Sequence, residues 1–193
     1  MPDTHTNPVS RRRFLATSGG VTLSAAALAL LGDRTALAAA LPANAGGDVA
    51  ILNVAVADEL EGIAAYGIAL KSGLLQPAIV KAATKFQDDH KRHNDLLVAT
   101  IRKLGGEPLK AKTEAEYAKN LGVEHLKSQE DVLVFAAGLE LGAANAYLGI
   151  IPALKDTELA KIAARIAADE VSHWTVLNST LGGPLPPALN FGA

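Results

Sequence analysis

The feature that most constrains this chain is a carboxylate and an imidazole set into an otherwise aliphatic helical stripe. Over Leu159–Leu181, the residues at helical spacings of three or four are Leu159, Ile162, Ile166, Glu170, His173, Leu177 and Leu181. Five of these seven are aliphatic, and Glu170 and His173 stand one turn apart in their midst. Burying a carboxylate is costly unless something compensates it. A Glu-x-x-His pair on a helix aims both groups at one point, and a metal ion is the usual compensation.

The pattern recurs on three further stretches. One stripe reads Ile79, Ala83, Phe86, His90, His93, Leu97, Ile101, Leu104. A second reads Leu52, Ala55, Glu59, Gly62, Tyr66, Leu70, and a third Leu133, Ala137, Glu140, Ala144, Tyr147, Ile151. The four stretches are two copies of one hairpin: Glu59 and Tyr66 match Glu140 and Tyr147 at an offset of 81, and Asp89 and His93 match Asp169 and His173 at an offset of 80. Three of the five histidines fall on these stripes. Asp58, Glu61 and His125 lie off them and are expected in solvent, whereas Trp174 reads as a packing residue.

Helix ends follow from capping and turn chemistry. The first helix is expected from Asp48, as N-cap, to Lys71, closed by Ser72-Gly73. Pro77 suits the first turn of the second, which ends at Leu104 before Gly105-Gly106 and Pro108. The third runs from about Ser128 to Leu154, with Pro152 disturbing its last turn, and the fourth from Asp156 to Leu181. Short links make each pair an antiparallel hairpin. The stretch Gly105–Lys127, roughly twenty residues, is long enough to be a crossover along the bundle, with a short helix over Thr113–Asn120. The fold class is therefore all-α, a ferritin-like four-helix bundle of two hairpins joined by a long crossover.

The start of the chain reads as an address. Ser10-Arg11-Arg12-Arg13-Phe14-Leu15 resembles the twin-arginine export signal, with Ala16 where a Lys often follows. The apolar run Val21–Leu31 is shorter than the about 20 residues a bilayer span needs. Residues 1–38 are thus expected to be a signal peptide cut after Ala36-Leu37-Ala38, or as late as residue 45, leaving no stable membrane span. Residues 39–47 form a flexible leader, 48–183 the bundle and 184–193 a proline-rich, irregular tail. The chain has 18 basic and 20 acidic residues, of which the first 38 hold four and two, so the remainder carries −4. That charge argues against a nucleic-acid partner. Without cysteine there is no disulfide, thiolate metal centre or covalent haem.

Leu52-Asn53 with Glu59 and Tyr66, Glu140 with Tyr147, and Asp169-Glu170-x-x-His173 followed by Leu181-Gly182-Gly183 carry a resemblance. Over residues 48–183 the chain resembles the ferritin-like superfamily, in particular exported ferritin-like domain proteins of the bacterioferritin and rubrerythrin type. In that family each hairpin supplies a Glu from its first helix and Glu-x-x-His from its second, around two metal ions. The resemblance implies Glu59, His93, Glu140, Glu170 and His173 as metal ligands, with His90 standing where the family has a Glu. Three carboxylates remain instead of four, so a symmetric pair is not implied, and a hydroxide-bridged pair, a mixed-metal pair or a single ion with three histidines nearby stays open. The implied cofactor is two divalent ions, iron foremost, with manganese, zinc or a mixed pair as alternatives. Tyr66 and Tyr147 are core residues whose phenols can bond ligand carboxylates. Asp89 and Asp169 stand beside the stripes and are expected to pair crosswise, Asp89 with His173 and Asp169 with His93.

The expected function is a periplasmic metal-binding protein with metal oxidation or oxygen or peroxide chemistry as its candidate activity. The alternative is a non-catalytic stress-related or structural bundle with a passive or decayed site. Metal ions are the expected partners; a homo-oligomer is compatible with such a bundle, and the tail or crossover offers a contact for another protein.

Overall fold

A computed structural model of the chain describes residues 47–192. The expected signal peptide, 1–38, and nearly all of the expected leader lie outside the described residues. The elements in order are α1 (Asp48–Lys71), α2 (Pro77–Lys103), α3 (Glu114–Leu121), α4 (Gln129–Ile150) and α5 (Thr157–Thr180), with single 3-10 turns at Val123–His125 and Ile151–Ala153. Among the described residues there is no strand. α1 packs on α2 and α4 on α5 as two hairpins, α1 also touches α4, and α3 lies against α1 as part of the crossover.

The helix ends show why the chain turns where it does. Beyond α2, Leu104 takes the cap and Gly105 adopts φ 79°, so that Gly106 N–H donates to Ile101 O (2.9 Å) and Gly105 N–H to Arg102 O (3.0 Å). α5 closes identically: with Gly182 at φ 76°, Gly183 N–H donates to Asn178 O at 2.8 Å. Such turns satisfy carbonyls that the last helical turn leaves without partners. Leu104, expected on the inward stripe, is instead 44% exposed, because the turn carries it past the end of the core. α4 and α3 begin with reciprocal side-chain caps, Ser128 with Asp131 and Thr113 with Glu116. α4 ends at Ile150 and not at Leu154: Pro152 has no N–H for Leu148 O, and the last turn tightens to 3-10.

Asp48 is the first helical residue and not the cap, which falls to Gly47 at φ 71°. Its carboxylate accepts from Lys155 N (3.0 Å) and Asp156 N (3.3 Å), tying the start of α1 to the α4–α5 link. Asp156 caps α5 by accepting from Glu158 N at 2.8 Å. The tail is irregular, yet fastened: Asn178 Nδ2 donates to Pro184 O, Gly192 N to Asn145 Oδ1, and Phe191 meets the Trp174 ring edge-on at 5.3 Å.

α1 and α4 are apolar nearly all round, and α1 has no exposed residue before Lys71. A helix of that kind must be covered on several sides, and α1 is covered by α2, α4 and α3. Gln129–Ala153 is long and apolar enough to cross a bilayer by length and composition, but it lies against α5 and α1 and carries the buried Glu140. The same coverage corrects two expectations: Asp58 and Glu61 are half-buried and not in solvent. Glu61 lies close enough to Tyr117 of α3 to oppose ionisation of its phenol, which burial already disfavours. His125 does sit in solvent, beside Glu124.

The core falls into two apolar clusters. One gathers Leu52, Val56, Leu97, Ile101, Leu159 and Ile166; the other gathers Tyr66, Phe86, Leu133, Ala137 and Leu177. Between them in each of the four long helices come the polar stripe residues. Asn53, 1% exposed, secures the crossover above the first cluster: its Nδ2 donates to Glu107 O (3.1 Å) and its Oδ1 accepts from Leu109 N (2.7 Å). Asn53→Ala leaves both backbone groups without that partner, at about 1–3 kcal/mol each. Urea unfolding should show the midpoint falling with an unchanged slope; a midpoint equal to that of the parent chain would mean the crossover is held elsewhere.

Candidate metal centre

Six titratable side chains meet in the layer between the two clusters. Glu59 comes from α1, His90 and His93 from α2, Glu140 from α4, Glu170 and His173 from α5, and each is buried, with Glu170 at 0% exposure. They converge because α1, α2, α4 and α5 each place their one or two polar stripe residues at the same height. Ligating atoms of Glu59, His90, His93 and Glu170 lie within 4.8 Å of one another, as do those of His90, Glu140, Glu170 and His173. His90 and Glu170 belong to both groups.

The contacts follow the two-fold repeat. Tyr66 of α1 donates to Glu140 Oε1, and Tyr147 of α4 donates to Glu59 Oε1. His93 Nε2 lies 3.1 Å from Asp169 Oδ2, and His173 Nε2 lies 3.3 Å from Asp89 Oδ2, so each histidine meets the aspartate of the other hairpin. Both contacts require α1 to run antiparallel to α4 and α2 to α5. Asp169 is 60% exposed at its side chain and Asp89 only 14%, the latter also paired with Lys85 and 3.5 Å from Arg92. Lys85, one turn before Asp89, is a partner that the stripe pattern passes over, although its i,i+4 spacing advertises it.

With Nε2 committed outward, Nδ1 of both histidines faces the layer. His93 Nδ1 is 3.1 Å from Glu170 Oε1, and His173 Nδ1 is 3.3 Å from Glu170 Oε2 and 3.4 Å from Glu140 Oε2. His93 Nδ1, His173 Nδ1, both oxygens of Glu170 and Glu140 Oε2 are buried without a hydrogen-bond partner. Five orphaned donor atoms turned to one region match what a divalent cation takes from nitrogen and oxygen ligands. The residues present therefore fit a metal centre.

His90 occupies the middle. Its Nδ1 is 2.8 Å from Glu59 Oε2 and 3.8 Å from Glu170 Oε1, and its Nε2 is 3.4 Å from Glu140 Oε1. Gly62, a stripe position to which the sequence assigns no role, makes room for it: a Cβ there would stand 2.9–3.0 Å from Cε1, Nδ1 and Nε2 of the ring.

Without metal the layer is a lattice of acids and bases. Burial alone would lower the histidine pKa values, but the carboxylates outweigh it. Glu170 and Glu59 take His93 to about 10, and Glu140 and Glu170 take His173 to about 9. His90 also rises well above its ordinary value, through Glu140 and Glu59. Burial pushes the carboxyls up, yet the imidazoles bring Glu59 and Glu140 down, whereas in Glu170 burial prevails and its pKa is raised. Burial and the adjacent carboxylates hold both tyrosines protonated.

A sign follows for the metal-free chain. A histidine whose folded pKa is raised stabilises fully below its unfolded value of 6.5, and this is lost as pH rises through about 9 for His173 and about 10 for His93. Lowered Glu59 and Glu140 stabilise above their ordinary 4.5 and lose this as pH falls. Raised Glu170 opposes in part, favouring the fold below 4.5. Thermal scans in chelator should therefore peak between pH 4.5 and 6.5 and fall steadily towards pH 10; a melting temperature flat from pH 6 to 9 would contradict the geometry of the layer.

A family model described as a ferritin-like domain matches residues 47–183. No curated protein and no solved structure gives a match. The matched stretch runs from the cap of α1 to the glycine turn that closes α5, so it spans every residue of the layer and both hairpins. With that match over most of the chain, the chain belongs to the ferritin-like domain family.

Proposed function

We propose that this protein is an exported, periplasmic metal-binding protein that holds two divalent ions, iron foremost, and acts in oxidising a metal ion or in reducing oxygen or peroxide. The observation that carries the reading is the set of buried atoms that face one another within ion-pair distance yet make no hydrogen bond: His93 Nδ1, His173 Nδ1, Glu140 Oε2 and both oxygens of Glu170. Export rests on the arginine pair and apolar run of the first 38 residues.

Glu59, His93 and Glu170 would hold one ion, and Glu140, His173 and Glu170 the other, with His90 between. A redox-active pair bound there supplies the electrons exchanged with oxygen or peroxide. The chain's own groups prepare the site. Asp169 and Asp89 would hold the Nε2 proton of their histidines, so that Nδ1 is the nitrogen that gives up its proton to an entering ion. Tyr66 and Tyr147 occupy Oε1 of Glu140 and Glu59, leaving Oε2 for the centre. Apolar clusters on both sides exclude water. Electrons for such a reaction would have to come from a substrate metal or a partner protein.

A second reading has an observation of its own. His90 Nδ1 bonds Glu59 at 2.8 Å, and three protonated imidazoles neutralise three carboxylates, so the layer is compensated without an ion. On that reading the bundle is structural or stress-related and the site passive.

Metal analysis of protein isolated from the periplasm, followed by oxygen uptake on adding ferrous ion, separates the two. Bound iron with oxygen consumption supports the redox reading; bound metal without consumption leaves a passive binder, and a metal-free protein leaves the structural one. Glu170→Ala, which removes the carboxylate common to both groups, should abolish metal binding. Asp169→Asn should weaken it about 10–100-fold by loosening His93. Titration with a competing chelator reads both, and undiminished affinity in either variant would count against the assignment.

A further inference from the structure

Position 90 breaks the repeat, and the structure shows how the break is accommodated. In the repeat His90 corresponds to Glu170, and Gly62 corresponds to Ala143. The hairpin with the bulky ring is the one with the glycine. A Cβ at position 62 would meet Cε1, Nδ1 and Nε2 at 2.9–3.0 Å, tighter than real Cβ contacts, so the face of this part of the ring lies over bare backbone and its two nitrogens stay open in the ring plane. The Tyr66 ring lies beside it, centroids 5.6 Å apart and planes 32° off parallel.

Held this way, the ring divides the layer. Nδ1 points to the side of Glu59 and His93, and Nε2 to the side of Glu140. This is why His90 belongs to both ligand groups. A carboxylate at this position would bridge by its two oxygens; an imidazole bridges by its two nitrogens, provided neither carries a proton. Charge decides whether that is reasonable. Glu59, Glu140 and Glu170 supply three negative charges against four positive ones on two divalent ions. A ring that ligates through both nitrogens is an anion and supplies the fourth.

Building on the metal-centre reading, we propose that His90 is a shared ligand, giving Nδ1 to the ion held by Glu59, His93 and Glu170 and Nε2 to the ion held by Glu140, His173 and Glu170, in a seat that Gly62 keeps open. Every N–H proton of the ring leaves to solvent as the two ions bind, and no bond beyond those to the ions is made. Imidazole suits copper as well as iron and zinc, which gives the site a spectroscopic probe.

The test loads purified protein with copper(II) alone and reads ions per chain together with the electron paramagnetic resonance spectrum. Two ions per chain are expected, with the isolated-ion signal largely lost through coupling across the ring. His90→Gln is expected to recover the full isolated-ion signal or to bind one ion fewer. Two ions with the same coupling in His90→Gln would overturn the proposal, as would a single ion in the parent chain, which leaves the metal-centre reading standing. No bound ion would overturn both together.

The seat has its own check by thermal unfolding in chelator. Gly62→Ala should lower the melting temperature strongly beside His90 and little in a His90→Gln background, where the ring is gone. An equal loss in both backgrounds would show that Gly62 accommodates something other than the ring.

Discussion

Three carboxylates and three imidazoles share a layer from which two apolar clusters exclude water, and every long helix contributes to it. The fold depends on their mutual compensation. Any one of them alone would be a buried charge with no counterpart, which costs far more than a surface pair contributes. Together they set the height of each helix against its neighbours, because Glu59, His90, Glu140 and Glu170 must arrive at one level. A slip of one turn in α1 or α4 would replace the carboxylate by an apolar residue.

The repeat makes this alignment economical. Each hairpin carries an acid with a tyrosine on its first helix and an aspartate with a histidine on its second. Assembled about a two-fold relation, the hairpins exchange partners, so tyrosines reach the opposite acid and aspartates the opposite histidine. These exchanged contacts join α1 to α4 and α2 to α5, where no short loop does so. The symmetry ends at the centre, where a ring resting on Gly62 takes the place of a fourth carboxylate. The two halves of the layer are consequently inequivalent.

Burial also sorts the proton inventory. Tyrosines are kept protonated by burial and by the carboxylates they face, so they act as donors to Glu59 and Glu140. The histidines are held charged by those same carboxylates, and a metal ion must displace their protons to enter. A cation entering this layer would compete with protons for side chains already arranged around a common region.

The stripes were readable from the sequence because a helical period places polar exceptions on one face whatever surrounds them: Glu59, His93, Glu140, Glu170 and His173 could all be found that way. The crossed aspartates were readable too, since the repeat offset pairs Asp89 with Asp169 and their places beside the stripe turn them to the neighbouring helix. Other features required the assembled chain. Asp58 and Glu61 look solvated on a single helix and are half-buried only because α4 and the crossover come to lie on α1. Asp48 has the sequence of a cap, yet it serves the α4–α5 link, a contact between residues more than a hundred positions apart. Gly62 is a spacer in one dimension and a seat for His90 in three. Local pattern determines which face a residue occupies, whereas distance across the bundle decides which group it meets there.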